Sequence, residues 1–101
     1  MLIVAGFVRI DIAKRDGAIE AARSMMAATR MEPGCISYTF ATDLEDESVI
    51  RIFEEWESAA ALQAHFKTPH MADFQKTLSE LGLTELKVQR YDVARVADLS
   101  D

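Results

Sequence analysis

The chain contains 101 residues, with 11 basic and 17 acidic side chains and a formal net charge of −6. This length predicts a single domain with an ordered core of about residues 2–96, and the excess of acidic groups argues against a nucleic-acid partner. Cys35 is the only cysteine, which excludes an intrachain disulfide, and no apolar run approaches the roughly 20 residues needed to cross a bilayer. We therefore expect a cytoplasmic protein without a membrane partner.

The first third of the chain predicts a strand followed by a helix. Residues 2–12 are rich in β-branched and aromatic side chains, which is typical of a strand. From Ala18 to about Met31, apolar residues recur at helical spacing, and Asp16 is the expected N-cap. Pro33 and Gly34 then end the helix.

Two further strands are predicted on either side of a short acidic loop, residues 43–47, which is short enough for a hairpin. The second strand spans residues 35–42, and alternation places Ile36, Tyr38 and Phe40 on one of its faces. The third strand spans residues 48–57, with Ile50, Ile52 and Trp56 on one face.

The last third predicts two consecutive helices and a strand. Ser58 is the expected N-cap of a helix over residues 59–66, and Thr68-Pro69 starts the next helix with proline at its first position. Gly82 is the expected C-terminal cap, and the fourth strand is predicted over residues 86–96.

This element order, β-α-β-β-α-β, predicts a ferredoxin-like α+β fold whose helices cover one face of a four-stranded antiparallel sheet. The first strand is apolar on both faces, although two helices can cover only one of them. Because an exposed apolar sheet face marks an interaction site, we expect a homodimer joined through the sheet faces. The polar residues expected in that interface are Arg9, Arg51, Glu55 and Arg90.

The two histidines are the first candidates for chemistry, because an imidazole titrates near neutral pH and can act as a general base. His65 and His70 flank the junction of the two C-terminal helices, and His65 is the one expected to face inward. A base beside apolar and aromatic side chains would suit a flat phenol or quinol. Those side chains are Tyr38, Phe40, Trp56, Phe66, Met71 and Phe74. The alternative is that the histidines are merely packed or solvated.

The sequence favours no other site. His65 and His70 are five residues apart across a proline and no HExxH pattern is present, so no metal site is predicted. Glu54, Glu55 and Glu57 form an acidic cluster, and paired carboxylates can perform acid–base chemistry. Strand alternation separates Glu54 from the other two, however, so solvated or ion-paired carboxylates are the favoured interpretation.

Several segments of the chain match motifs of one family. Residues 32–38 read EPGCISY, residues 55–58 read EWES, residues 64–66 read AHF and residues 68–71 read TPHM. These segments resemble the E-x-G-C-x-x-Y and E-W-E-S…A-H-[LF]-x-[ST]-P-H-[MF] motifs of the antibiotic biosynthesis monooxygenase (ABM) family. Within that family, the chain is most similar to the bacterial quinol monooxygenases.

The resemblance implies a dimeric α+β barrel in which each subunit holds its own pocket between sheet and helices. It also implies a monooxygenase that oxidises a small aromatic quinol or polycyclic phenol, with O2 as co-substrate and no cofactor. His65 falls on the family's A-H motif, and we expect it to be the catalytic residue, either as the base or by orienting the phenolate. The residues assigned to substrate binding are Phe7, Tyr38, Phe40, Trp56, Phe66, His70, Met71 and Phe74.

The family also contains other activities. Its haem-degrading members use Asn, Trp and His where this chain has Phe7, His65 and Gln75, so haem degradation is not predicted. An isomerase acting on a phosphorylated signalling molecule stays open, with Lys67 and Lys76 as the nearby cations. A non-catalytic dimer that binds small molecules is the third alternative.

Overall fold

A computed structural model describes all of residues 1–101 and has the element order β-α-β-β-α-α-β. The strands form one antiparallel sheet in the order β2-β3-β1-β4. None of the helices is both long and apolar enough to span a bilayer. The strands are β1 (Leu2–Ile10), β2 (Cys35–Thr42), β3 (Val49–Trp56) and β4 (Leu83–Asp92), and the helices are α1 (Arg15–Thr29), α2 (Ala59–Phe66) and α3 (Pro69–Glu80).

The connection from β1 to α1 differs from the expectation. A short 3-10 helix, Ile12–Lys14, follows β1, and the Asp11 carboxylate caps it by accepting from the Ala13 N–H at 3.0 Å. The 3-10 helix continues directly into α1, which therefore begins at Arg15. Asp16, the expected N-cap, lies inside the first turn of α1, so that assignment is wrong.

The two C-terminal helices begin as the sequence predicts. The Ser58 hydroxyl accepts a hydrogen bond from the Ala61 N–H at 3.1 Å, and the Thr68 hydroxyl accepts one from the Met71 N–H at 3.3 Å. Pro69 occupies the start of α3, where its missing N–H costs nothing. These caps fix the residues at which the chain turns between α2 and α3, and His65 and His70 lie on either side of that turn.

Strand pairing shifts two of the predicted features. β4 begins at Leu83 instead of residue 86, because Leu83 pairs with Ile10 directly after the turn at Gly82. The pairing of β2 with β3 is irregular between Cys35 and Ser37, which removes Ile36 from the face that carries Tyr38 and Phe40. Ile36 is accordingly half exposed.

The helices cover one face of the sheet and leave the other open. The covered face holds two apolar clusters, one around Trp56 and Tyr38 and the other around Val8 and Ile50. Since directly paired residues share a face, the register assigns the remaining positions. The open face carries Phe7, Phe53 and Tyr91 together with Arg9, Arg51 and Glu55. Arg90 pairs with Val4 and faces the helices, so its expected place on the open face is wrong.

Candidate active site

Glu32 joins the two histidines, which come from different helices. His65 lies in the last turn of α2, and its Nδ1 is 2.8 Å from Oε2 of Glu32. His70 lies in the first turn of α3, and its Nε2 is 2.7 Å from the same oxygen. Because an ionised carboxylate can only accept hydrogen bonds, both of these ring nitrogens donate when Glu32 is charged. Glu32 thereby fixes the tautomer of both rings.

A tight turn after α1 holds Glu32 against α2. The Glu32 N–H donates to the Thr29 carbonyl at 2.9 Å, and the Glu57 N–H donates to the Gly34 carbonyl at the same distance. Gly34 has a φ of +83°, and a Cβ at this position would lie 2.5 Å from the Cβ of Ala61. Only glycine fits this left-handed position, so the Pro33-Gly34 turn lets the loop approach α2 closely.

His65 is the buried member of the group, with 1% of its surface exposed. Its ring lies between aromatic neighbours, with centroids 4.8 Å from Trp56 and 5.5 Å from Tyr38. Nδ1 is occupied by Glu32, whereas Nε2 has no hydrogen-bond partner within the chain. Because His65 lines a cavity, Nε2 is the ring atom available to a bound molecule.

The cavity lies between the sheet and helices α2 and α3 and has a volume of about 410 Å³. Its lining is mostly apolar with a few polar groups, which is typical of a site for a small molecule. The apolar and aromatic lining residues are Val4, Val8, Tyr38, Phe40, Ile52, Leu62, Phe66, Met71, Phe74, Leu78, Leu86 and Val88. The polar ones are Glu54, Gln63, His65, Gln75, Gln89 and Arg90.

Glu54 supplies a buried carboxyl group to this cavity. Burial, together with the negative charge of Glu32, raises the pKa of Glu54 to about 7, although a hydrogen bond from Trp56 lowers it in part. That bond runs from the indole N–H to Oε1 of Glu54 at 2.9 Å. Burial, aided by Glu54, also raises the pKa of the Tyr38 hydroxyl, which therefore stays neutral. A large fraction of Glu54 is thus uncharged near neutral pH.

The structure brings six of the sequence-assigned residues together around one space. His65, Tyr38 and Phe40 line the cavity from α2 and β2. Phe40 and Phe74 also line it, and their rings stack with centroids 5.4 Å apart. The full set of assigned residues in the lining is Tyr38, Phe40, His65, Phe66, Met71 and Phe74.

Three assigned residues lie elsewhere. Phe7 is on the open face of the sheet, beneath the Arg51 guanidinium at 5.5 Å, because its position in β1 alternates with Val8. Trp56 is fully buried behind His65 and does not reach the cavity. His70 opens instead onto a separate cleft between α1 and α3. None of these three side chains lines the cavity, and their assignment to substrate binding stays a prediction.

Glu32, His65 and His70 are also the residues that could hold a metal ion, because their donor atoms all lie within 4.8 Å of one another. The nitrogen–oxygen distances are 2.7 and 2.8 Å. Ligand atoms at about 2.0 Å from a tetrahedral zinc ion lie about 3.3 Å apart. The observed distances therefore fit hydrogen bonds better than coordination of a common ion. The expectation from the sequence that the chain has no metal site stays a prediction.

Sequence reasoning missed the role of two carboxylates. Glu32 begins the EPGCISY segment, so the resemblance contained it, but nothing in the spacing connects it to histidines 33 and 38 residues away. Alternation did separate Glu54 from Glu55, and the structure confirms that the two face opposite sides of the sheet. The burial of Glu54 could have been predicted from its position two residues before Trp56, because strand alternation places both side chains on the same face of the sheet.

Comparison with known sequences places these features in a family context. Residues 1–77 match the family model described as antibiotic biosynthesis monooxygenase. A Synechocystis protein with no assigned function is 31% identical over 98 residues, which cover 97% of this chain and 67% of the relative. YcnE of Bacillus subtilis, which its name describes provisionally as a monooxygenase, is 24% identical over 94 residues, covering 93% of this chain and 99% of YcnE.

Solved structures confirm the fold class. A Deinococcus radiodurans protein, described provisionally as an antibiotic biosynthesis monooxygenase, superimposes with a TM-score of 0.93 over 98% of both chains at 24% identity. A Bacteroides thetaiotaomicron protein of unknown function is 34% identical and superimposes with a TM-score of 0.82, covering 89% of this chain and 94% of its own. The predicted ferredoxin-like α+β fold is therefore correct.

Proposed function

Because the chain belongs to the antibiotic biosynthesis monooxygenase family, we propose that it is a cofactor-independent monooxygenase acting on a small aromatic quinol or polycyclic phenol. The observation that carries the proposal is the placement of His65. His65 lines an aromatic cavity, and Glu32 holds its Nδ1 at 2.8 Å, which leaves Nε2 for a bound molecule. This geometry suits a general base for an acidic hydroxyl group on a flat ring.

The proposed reaction begins with removal of a proton from the substrate hydroxyl by Nε2 of His65. The resulting imidazolium is stabilised by Glu32, in the manner of a carboxylate–histidine pair. The phenolate is electron-rich and passes electrons to O2, while the apolar cavity shields the intermediates from water. One oxygen atom enters the ring and the other leaves as water, so the substrate loses two hydrogen atoms and gains one oxygen.

A defined quinol tests this reaction. 1,4-Dihydroxynaphthalene should be converted to 2-hydroxy-1,4-naphthoquinone with uptake of one O2, whereas simple autoxidation gives 1,4-naphthoquinone. With ¹⁸O2, the enzymatic product should carry one labelled oxygen, and protein dialysed against a chelator should retain its rate. Failure to incorporate label above the protein-free control would contradict the proposal. Tight binding of the quinol without turnover would instead favour the alternative of a non-catalytic binding dimer.

Replacing Glu32 with glutamine should lower kcat about 10- to 100-fold, because the amide does not stabilise the imidazolium formed at His65. Glu32 is a positioning residue, so KM should change less than kcat, and the pH–rate profile should move. Steady-state O2 uptake across pH 5 to 9 measures both effects. The matched control is Glu57→Gln, an exposed glutamate near the same turn. Equal profiles for the two variants would contradict a role for Glu32.

We also propose that two copies of the chain associate through their open sheet faces. Phe53 and Tyr91 are 44% and 49% exposed there, beside Arg9, Arg51 and Glu55. Exposed aromatic groups surrounded by charges are typical of an interface. A second copy is the occupant that the expected dimeric barrel requires.

Light scattering after size exclusion should give twice the 11.3 kDa subunit mass. Phe53→Glu should shift the protein towards the monomer by placing a charge at the centre of the interface. The control is Leu44→Glu, since Leu44 is fully exposed in the loop between β2 and β3 and lies off the sheet face. A wild-type monomer at micromolar concentration would contradict the dimer.

A further inference from the structure

The carboxyl group of Glu54 is a buried polar group that the reaction described above does not use. It lies in β3 on the covered face of the sheet, is 7% exposed and lines the same cavity as His65. Its Oε1 accepts the indole N–H of Trp56 at 2.9 Å. Its second oxygen has no hydrogen-bond partner within the chain and is not fully shielded from solvent, which leaves it accessible from the cavity.

The charged and titratable groups around Glu54 do not neutralise it. From β2, the neutral Tyr38 lies directly opposite Glu54, with Cys35 further along the strand. From β4, Arg90 lines the cavity, but its guanidinium donates to Oδ1 of Asp92 at 2.8 Å.

Two further groups face Glu54 from outside the sheet. His65 lines the cavity from α2, and its Nδ1 is already engaged by Glu32. Glu32 itself carries the same charge as an ionised Glu54 and therefore disfavours that ionisation. The α3 residues that line the cavity carry no charge, and they are Met71, Phe74, Gln75 and Leu78. A buried carboxyl without a cation is more stable as the neutral acid.

A neutral carboxylic acid in this position has one O–H donor with no acceptor in the chain. A ligand that displaces water from the cavity would leave this donor without a partner, unless an oxygen atom of the ligand accepts its hydrogen bond. A carbonyl oxygen fits this requirement best. It only accepts hydrogen bonds, so the ligand brings no additional donor that would need a partner in the cavity.

We propose that Glu54 donates a hydrogen bond to a carbonyl oxygen of the ligand, so that the cavity selects aromatic phenols that also carry a ketone. The phenol hydroxyl meets Nε2 of His65, and the ketone meets the carboxyl of Glu54. Trp56 fixes the side chains of Glu54 and His65 relative to each other, since its indole N–H contacts Glu54 and its ring packs against His65. This inference rests on the proposed function, because it assumes that the cavity binds an aromatic phenol.

A matched pair of ligands tests the inference without turnover. 7-Hydroxy-1-tetralone and 5,6,7,8-tetrahydro-2-naphthol have the same bicyclic phenol skeleton and differ at the ketone. Calorimetric titration at pH 5 should show that the wild-type protein binds the ketone about fivefold to tenfold more tightly. Glu54→Leu should abolish this preference, whereas Glu54→Gln should retain part of it, because its amide still donates. Glu57→Gln serves as the surface control.

The wild-type protein alone provides a second measurement if Glu54→Leu does not fold. Raising the pH from 5 to 8 should reduce the ratio of the two affinities towards one, because an ionised Glu54 cannot donate. Both free phenols remain mostly neutral over this range, so ionisation of the ligand hydroxyl contributes little to the change. Equal affinities for both ligands at every pH would overturn the role of Glu54 and leave the proposed function standing. Binding of neither ligand would overturn the aromatic site itself, and the inference with it.

Discussion

Replacing His65 with glutamine is expected to lower kcat for 1,4-dihydroxynaphthalene at least about 100-fold, because the variant lacks a general base in the cavity. Glutamine can still donate a hydrogen bond to Glu32, so the contact that anchors the side chain survives. The substrate should therefore bind with a KM within a few-fold of the wild-type value. Initial rates of O2 uptake, corrected for autoxidation, measure the loss.

The matched control for this variant is His70→Gln. His70 contacts the same Glu32 oxygen as His65, at 2.7 Å, but opens onto a different cleft and does not line the cavity. Its replacement removes one hydrogen bond from Glu32 and should change kcat much less than the His65 variant does. Wild-type turnover by a folded His65→Gln protein would exclude His65 as the base, and equal losses in the two variants would indicate a shared structural role.

Glu54→Gln is expected to become progressively more stable than the wild-type protein as the pH rises from 5 to 8. The folded protein holds the pKa of Glu54 at about 7, well above the ordinary value of 4.5. Folding therefore favours the protonated acid. The contribution of the protonated Glu54 to the free energy of unfolding is fully present below pH 4.5 and is lost as the pH rises through 7. For this shift, the loss amounts to about 3 kcal/mol, and glutamine does not undergo it.

Urea denaturation of both proteins at several pH values measures this effect as the difference between their free energies of unfolding. Groups that titrate in both proteins cancel in that difference, and glutamine retains an oxygen that can accept the Trp56 N–H. Glu57→Gln, at an exposed position, should show a nearly constant difference from the wild-type protein. A pH-independent difference for Glu54→Gln would show that its carboxyl is ionised without penalty in the folded state.

The elements whose ends are set by local chemistry could be predicted from the sequence. Ser58, Thr68 and Pro69 cap or begin α2 and α3 through contacts within four residues, and both helices start where expected. The strand ends depend instead on partners far along the chain. β4 begins at Leu83 because Ile10 lies beside it in the sheet, and the irregular pairing at Ile36 exists only relative to β3.

The candidate site also has features that could be predicted from the sequence and features that could not. The position of His65 beside aromatic residues could be predicted because its segment matched a family motif. The contact between His65 and Glu32 could not be predicted, because it joins the loop after α1 to the end of α2 through the packing at Gly34. The position of Trp56 could not be predicted for a related reason. Its hydrophobic side chain suited either the cavity wall or the core, and its packing behind His65 places it in the core.

The most direct test of the central claim, that His65 deprotonates an aromatic phenol in the cavity, is the absorption spectrum of bound 4-nitrophenol. The phenol and phenolate forms have well-separated bands, and the measurement requires no knowledge of the natural substrate. At a pH well below the pKa of the free compound, binding to the wild-type protein should produce the phenolate band. The His65→Gln variant should bind the neutral phenol without that change. A neutral-phenol spectrum in the saturated wild-type complex would contradict the claim.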